Sequence, residues 1–138
     1  MIQYQYIKAP KLKNTNKITF WLNKSIKEEG KETGDIVYVF CSDEYVHKKN
    51  VEFLGKNMLT DVIAFDYCKD KIIHGDILIS TERVKENAKT YNANYLNELY
   101  RVMIHGLLHL MGYNDKTKKE LKIMREKENY YLTKFIGC

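Results

Sequence analysis

The stretch from about Tyr95 to Met111 constrains this chain more than any other. Leu96, Leu99, Met103, Leu107 and Leu110 recur at spacings of three and four, the repeat that gathers side chains onto one stripe of an α-helix. Gly112 follows where a helix end favours a residue that tolerates left-handed backbone, so the helix should stop there. Such a stripe needs a partner surface, and the remaining sequence supplies one. Ile2 to Ile7 alternate as an edge strand does, with the chain's one proline, Pro10, just beyond. Ile18, Trp21, Leu22 and Ile26 predict a helix from about Asn16 to Glu29, punctuated by Gly30 and Gly34. Val37 to Cys41 suit a buried strand, and Ser42 and Asp43 can cap a helix to about Leu54. Asp61 to Tyr67 and Ile72 to Ser80 read as a hairpin across Cys68-Lys69-Asp70-Lys71. Thr81 is expected to cap a helix to about Thr90, and Thr117 to open a last one carrying Leu121, Met124 and Tyr131. The expected fold is α+β: a four-stranded mixed sheet packed with about five helices, in a single domain over residues 1–138.

Composition narrows the classes. With 44% hydrophobic residues, 138 residues can bury one core. The balance of 23 Lys and Arg against 18 Asp and Glu gives +5, which favours an anionic partner. Cys41, Cys68 and Cys138 are odd in number and without a C-x-x-C spacing, against both a disulfide framework and a thiolate zinc site. Reduced thiols fit the cytoplasm. No stretch approaches the ~20 apolar residues of a membrane helix, so no membrane partner is expected.

Within the Tyr95 to Met111 helix, His105 and His109 lie four apart and project from one face, the spacing of a bidentate metal grip. The turn after Gly112 can return the Asp115 carboxylate to the same ion. Three protein ligands, His105, His109 and Asp115, leave a fourth position for water, whose pKa a divalent ion lowers from ~15.7 toward ~7. Two imidazoles and a carboxylate suit one Zn²⁺ per chain best, though other divalent ions fit. Gly106 costs the helix ~1 kcal/mol relative to Ala, which points to close approach of another backbone or a ligand. The spacing also matches the protease signature H-E-x-x-H-x-x-G-x-x-H, but Gly106 stands where that signature has its glutamate base, so a metzincin-like metal-dependent peptidase ranks second.

The segment Glu98 to Asp115 resembles the hallmark of the YbeY family of metal-dependent endoribonucleases, H-G-x-L-H-L-x-G-Y-D-H. Ser42-Asp43 with Asn50, Thr60-Asp61-Val62-Ile63-Ala64-Phe65 (compare T-D-V-L-S-F) and Gly75-Asp76-Ile77 (compare G-D-I) match in the same order. The resemblance implies a single-strand endoribonuclease in rRNA maturation or ribosome quality control, with RNA (rRNA or ribosomal particles) as partner and no DNA expected. Two positions depart from it. Asp115 stands in place of the third histidine, with Asn114 before it, which leaves the site less positive by one charge. Leu54 stands where the family's phosphate-binding arginine falls, so that Lys48, Lys49 or Lys56 would have to serve. A non-catalytic ribosome assembly factor with a structural zinc is the further alternative.

Around this centre, Glu98 shares the histidine face two turns earlier and is a catalytic or orienting candidate, as is Asp76 beside Gly75. His74 is a candidate fourth ligand or an exposed hairpin-end residue. His47 reads as surface, Asp61 as structural, and Tyr100 and Tyr131 as core. Lys116, Lys118, Lys119 and Lys122 can rim the site for phosphate.

Overall fold

The computed structural model describes residues 1–54 and 60–136. Their elements run β1 (Ile2–Tyr6), α1 (Thr15–Glu28), β2 (Glu32–Cys41), α2 (Asp43–Leu54), β3 (Val62–Asp66), β4 (Ile72–Ser80), α3 (Thr81–Thr90), α4 (Tyr95–Leu110) and α5 (Lys118–Ile136). The four strands form one mixed sheet in the order β1-β2-β4-β3. β1 and β4 both run parallel to β2, and β3 pairs antiparallel with β4 through Ile63 opposite Leu78. The α+β architecture of five helices and four strands is the one expected.

Alternation in β4 divides the interior. Ile73, Ile77 and Ile79 face the larger core, shared with Trp21 and Leu22 of α1, Met103 and Leu107 of α4, and Met124 and Tyr131 of α5. Leu78 faces a smaller cluster with Val39, Ile63 and Val46 of α2. Two buried hydrogen bonds lock the larger core: Tyr38 Oη donates to the Met103 carbonyl at 2.9 Å and Trp21 Nε1 to the Tyr131 carbonyl at 2.8 Å. Tyr100 packs edge-on against Trp21 and Phe135. Both tyrosines read as core, Tyr100 and Tyr131, are therefore packing residues.

Local chemistry explains the boundaries. Ser42 Oγ accepts from the Tyr45 amide and caps α2. Ser80, rather than Thr81, caps α3, its Oγ accepting from the Arg83 amide; Thr81 lies one residue inside the helix, buried, with its hydroxyl near the Cys41 carbonyl. Thr117 and Glu120 exchange amide hydrogen bonds as a capping box at the start of α5. Of the expected apolar stripes, Leu96 and Leu121 are exposed, each lying in the first turn of its helix.

Gly106 resolves differently from expectation. A Cβ there would lie 2.7 Å from Ile77 Cγ2 and 3.3 Å from Val62 Cγ2. The close approach is by side chains of β4 and β3, not by a backbone or a ligand. The missing methyl lets α4 settle onto the sheet with His105 and His109 on its outer flank.

Candidate metal centre

α4 ends on a tight reversal that sets the site. The Gly112 amide donates to the His109 carbonyl and the Tyr113 amide to the Leu108 carbonyl, with Gly112 at φ +100°. This is the paired pattern that closes a helix on a left-handed residue. Tyr113 Oη then donates to Glu29 Oε1 at 2.6 Å, fastening the reversal to the end of α1. From that tethered turn Asp115 points back at α4.

His105 Nε2 and His109 Nε2 are 3.0 Å apart, and Asp115 Oδ2 lies 3.3 Å from each. Ligand atoms bound about 2.0–2.2 Å from a tetrahedral ion stand roughly 3.3–3.6 Å apart, so the triangle already has nearly the edge lengths of three corners of such a site. All three side chains are half-buried.

Behind the triangle stands Glu128 of α5. Its Oε2 lies 2.6 Å from His105 Nδ1, and its Oε1 accepts from Arg101 Nη1 at 2.9 Å. A carboxylate accepts, so the proton is on Nδ1 and the Nε2 lone pair faces the triangle. Burial pushes the His105 pKa down, but the Glu128 carboxylate more than offsets it and holds the ring above the ordinary histidine range. Burial also works to raise Glu128, yet its bonds from His105 and Arg101 keep it below the usual glutamate range. His109 is held below the histidine range, first by burial and then by neighbouring His105, and so presents a neutral ring. The two Nε2 atoms, 3.0 Å apart, can share a proton; with both rings neutral they and the Asp115 carboxylate form a donor set that fits a divalent ion.

The triad lies where two clefts meet, His105 and Asp115 lining both and His109 one. One, of about 610 Å³, is lined by Asp61, Glu98, Arg101, Arg125 and Glu128 as well as His105 and Asp115. The other, of about 520 Å³, is lined by Asn50, Thr60, Ile63, Asp66 and Lys116, again with His105, His109 and Asp115. Asp61 lies on the wall of both. Read from sequence as structural, it accepts from Asn87 Nδ2 at 3.4 Å but also faces the triad, and burial raises its carboxyl above the ordinary aspartate range.

Other candidates are placed as follows. Glu98 lines the larger cleft without touching the triad, and burial raises its carboxyl too. Asp76 is not brought to the site: its neighbours Gly75 and Ile77 face α4, so the alternating strand turns Asp76 to the opposite face, beside Val37 and Phe65. His74 Nδ1 accepts from the Asp35 amide at 2.9 Å, at the far end of β4. His47 is half-buried on α2. Lys116 lines the smaller cleft, whereas Lys118, Lys119 and Lys122 are exposed and outside the described lining of either. Lys48 and Lys49 are outside it as well, and Lys49 pairs with Glu52 at 3.7 Å. Lys56, Cys138 and the side chain of Leu54 lie outside the described residues.

Sequence reading missed Glu128. The available signal was its register: Met124, Glu128 and Tyr131 share the buried face of α5, where Glu128 is 4% exposed. A charge on an apolar stripe requires a partner.

Comparison with known proteins agrees with this geometry. The family model described as Endoribonuclease YbeY matches residues 2–136. A curated Endoribonuclease YbeY of Flavobacterium johnsoniae is 45% identical over 98% of this chain and 97% of its own length. That of Amoebophilus asiaticus is 49% identical over 88% of this chain and 84% of its own. A Thermotoga maritima protein solved in solution superposes with a TM-score of 0.66 at 28% identity, covering 97% of this chain and 89% of the other.

Proposed function

The chain belongs to the YbeY endoribonuclease family, and on that footing we propose that it is a metal-dependent endoribonuclease acting on single-stranded RNA, rRNA or ribosomal particles, in the cytoplasm, as one domain. The observation that carries the reading is the triangle of His105, His109 and Asp115, with Glu128 fixing the tautomer of His105 from behind. These three residues hold one divalent ion, zinc by the chemistry of the donor set. When bound, such an ion acidifies a water and offsets the charge that gathers on a phosphodiester under attack.

The chain's own side chains do the rest. Glu128 keeps the His105 Nε2 lone pair directed at the ion, and Tyr113 holds the Asp115 turn in place through Glu29. Asp61, on the wall shared by both clefts, is the carboxylate placed to take up the proton released as water attacks. Glu98 supports the same wall, and Asp76 has no part in this reaction. Free thiols at Cys41 and Cys68 accord with a reducing compartment.

The test is cleavage of single-stranded RNA by the wild type, by chelator-stripped protein and by His109→Ala, with metal content measured in each. Cleavage and about one zinc per chain in the wild type, both lost in the other two, are expected. Equal metal in wild type and His109→Ala overturns the ligand assignment. RNA binding without cleavage in any form would instead fit an assembly factor with a structural ion, and chelator-sensitive peptide cleavage would fit a peptidase.

A further inference from the structure

The larger cleft presents four carboxylates, Asp61, Glu98, Asp115 and Glu128, to a substrate that is itself a polyanion. The cations on the same wall therefore decide how a phosphate can enter. Among the described lining there are two, Arg101 and Arg125. Arg101 is committed: Nη1 donates to Glu128 Oε1 and Nη2 to Asn129 Oδ1, each at 2.9 Å. Arg125 is not committed in this way. Its side chain is 61% exposed, and its ion pair on this wall, Nη1 to the same Glu128 oxygen at 3.8 Å, is longer than a hydrogen bond and leaves the fork open to solvent. A guanidinium in that state keeps its planar fork for two oxygens of one phosphate.

We propose that Arg125 forms a phosphate-binding subsite in the larger cleft, taking a backbone phosphate of single-stranded RNA next to the phosphate that lies at the triad. The cleft's position favours this: Arg125 is one turn before Glu128 on α5, so the pillar that supports His105 also carries the cation. On the other side of the shared residues His105 and Asp115, Lys116 supplies a cation to the smaller cleft. A strand lying over the triad thus meets one positive side chain on each side. This assignment rests on the hydrolytic reading above.

The experiment compares wild type, Arg125→Ala, Arg125→Lys and Lys85→Ala, an exposed α3 residue outside both clefts. Zinc per chain, kcat and KM on single-stranded RNA, and the salt dependence of binding to a short phosphorothioate RNA are measured for each. Arg125→Ala should raise KM about tenfold, the loss of roughly one charge-assisted phosphate contact. It should flatten the slope of log K against log salt by about 0.7, the contribution of one phosphate on a single strand. Zinc content and kcat should hold, Lys should restore the slope and part of the KM, and Lys85→Ala should leave all values unchanged. An Arg125→Ala protein with wild-type KM and slope overturns the subsite. So does one in which kcat and zinc fall while KM holds, since Arg125 would then act through Glu128 on the ligand. A wild type that neither binds zinc nor cuts RNA defeats the hydrolytic reading instead, and the two failures are distinct.

Discussion

Tyr113 Oη donates to Glu29 Oε1 at 2.6 Å, joining the turn that carries Asp115 to the residue that caps the end of α1, 84 positions earlier in the chain. Glu29 also accepts from Tyr131 Oη and from Lys127 Nζ at 3.1 Å. Burial works to raise its carboxyl, but these three donors bring it below the ordinary value of 4.5. A carboxylate held low in the folded state stabilises the fold above its unfolded pKa, and that contribution is lost as pH falls through the folded value. Glu29→Gln should therefore cost about 1 kcal/mol at neutral pH, the carboxylate being partly exposed. Denaturation midpoints of the two proteins should converge in acid. A gap that stays constant from neutral pH to well below 4.5 would show that the charge is not what matters.

Glu128 gives a second expectation. Partners behind a metal-bound histidine are worth roughly 10–100-fold in metal affinity. Glu128→Ala should weaken zinc binding by that order, measured by competition with a chromophoric chelator, and Glu128→Gln less so, because an amide oxygen still accepts from Nδ1. Affinity unchanged in both variants would mean that His105 needs no orienting partner.

Gly106→Ala separates helix propensity from packing. Alanine should gain ~1 kcal/mol in the helix, but its methyl would meet Ile77 Cγ2 at 2.7 Å. Overpacking of a core costs about 1–3 kcal/mol, and because both elements at the contact are regular and well packed, the net effect should be destabilising. A higher thermal midpoint for the variant would show that α4 can move off the sheet freely.

Asp115→His exchanges an oxygen donor for nitrogen and removes one negative charge from the triangle. Zinc should remain bound. The more positive site should acidify its water further, moving the acid limb of the rate profile to lower pH. A limb that stays in place, with zinc retained, would assign it to another group.

Most of the fold and the grouping of His105, His109 and Asp115 could be read from the residues. Periodic leucines in α4 and β-branched runs in β4 are local signals, and both elements lie where those signals put them. His105 and His109 were legible for the same reason, since helical spacing fixes their common face, and Asp115 because Gly112 dictates how the chain turns. Glu128 and Asp61 were not, because their placement beside the triad comes from packing over long sequence separations. Asp76 shows the converse limit. Its motif neighbours mark an important strand, but which face of that strand a residue takes depends on register, and register is set by pairing with β2 and β3.

Because the triad lies where two open clefts meet, a polymer can be laid across it without threading a terminus. A blind pocket would select for chain ends and trim them one unit at a time. This topography selects for interior positions, so a closed circle of RNA should be as good a substrate as its linear counterpart.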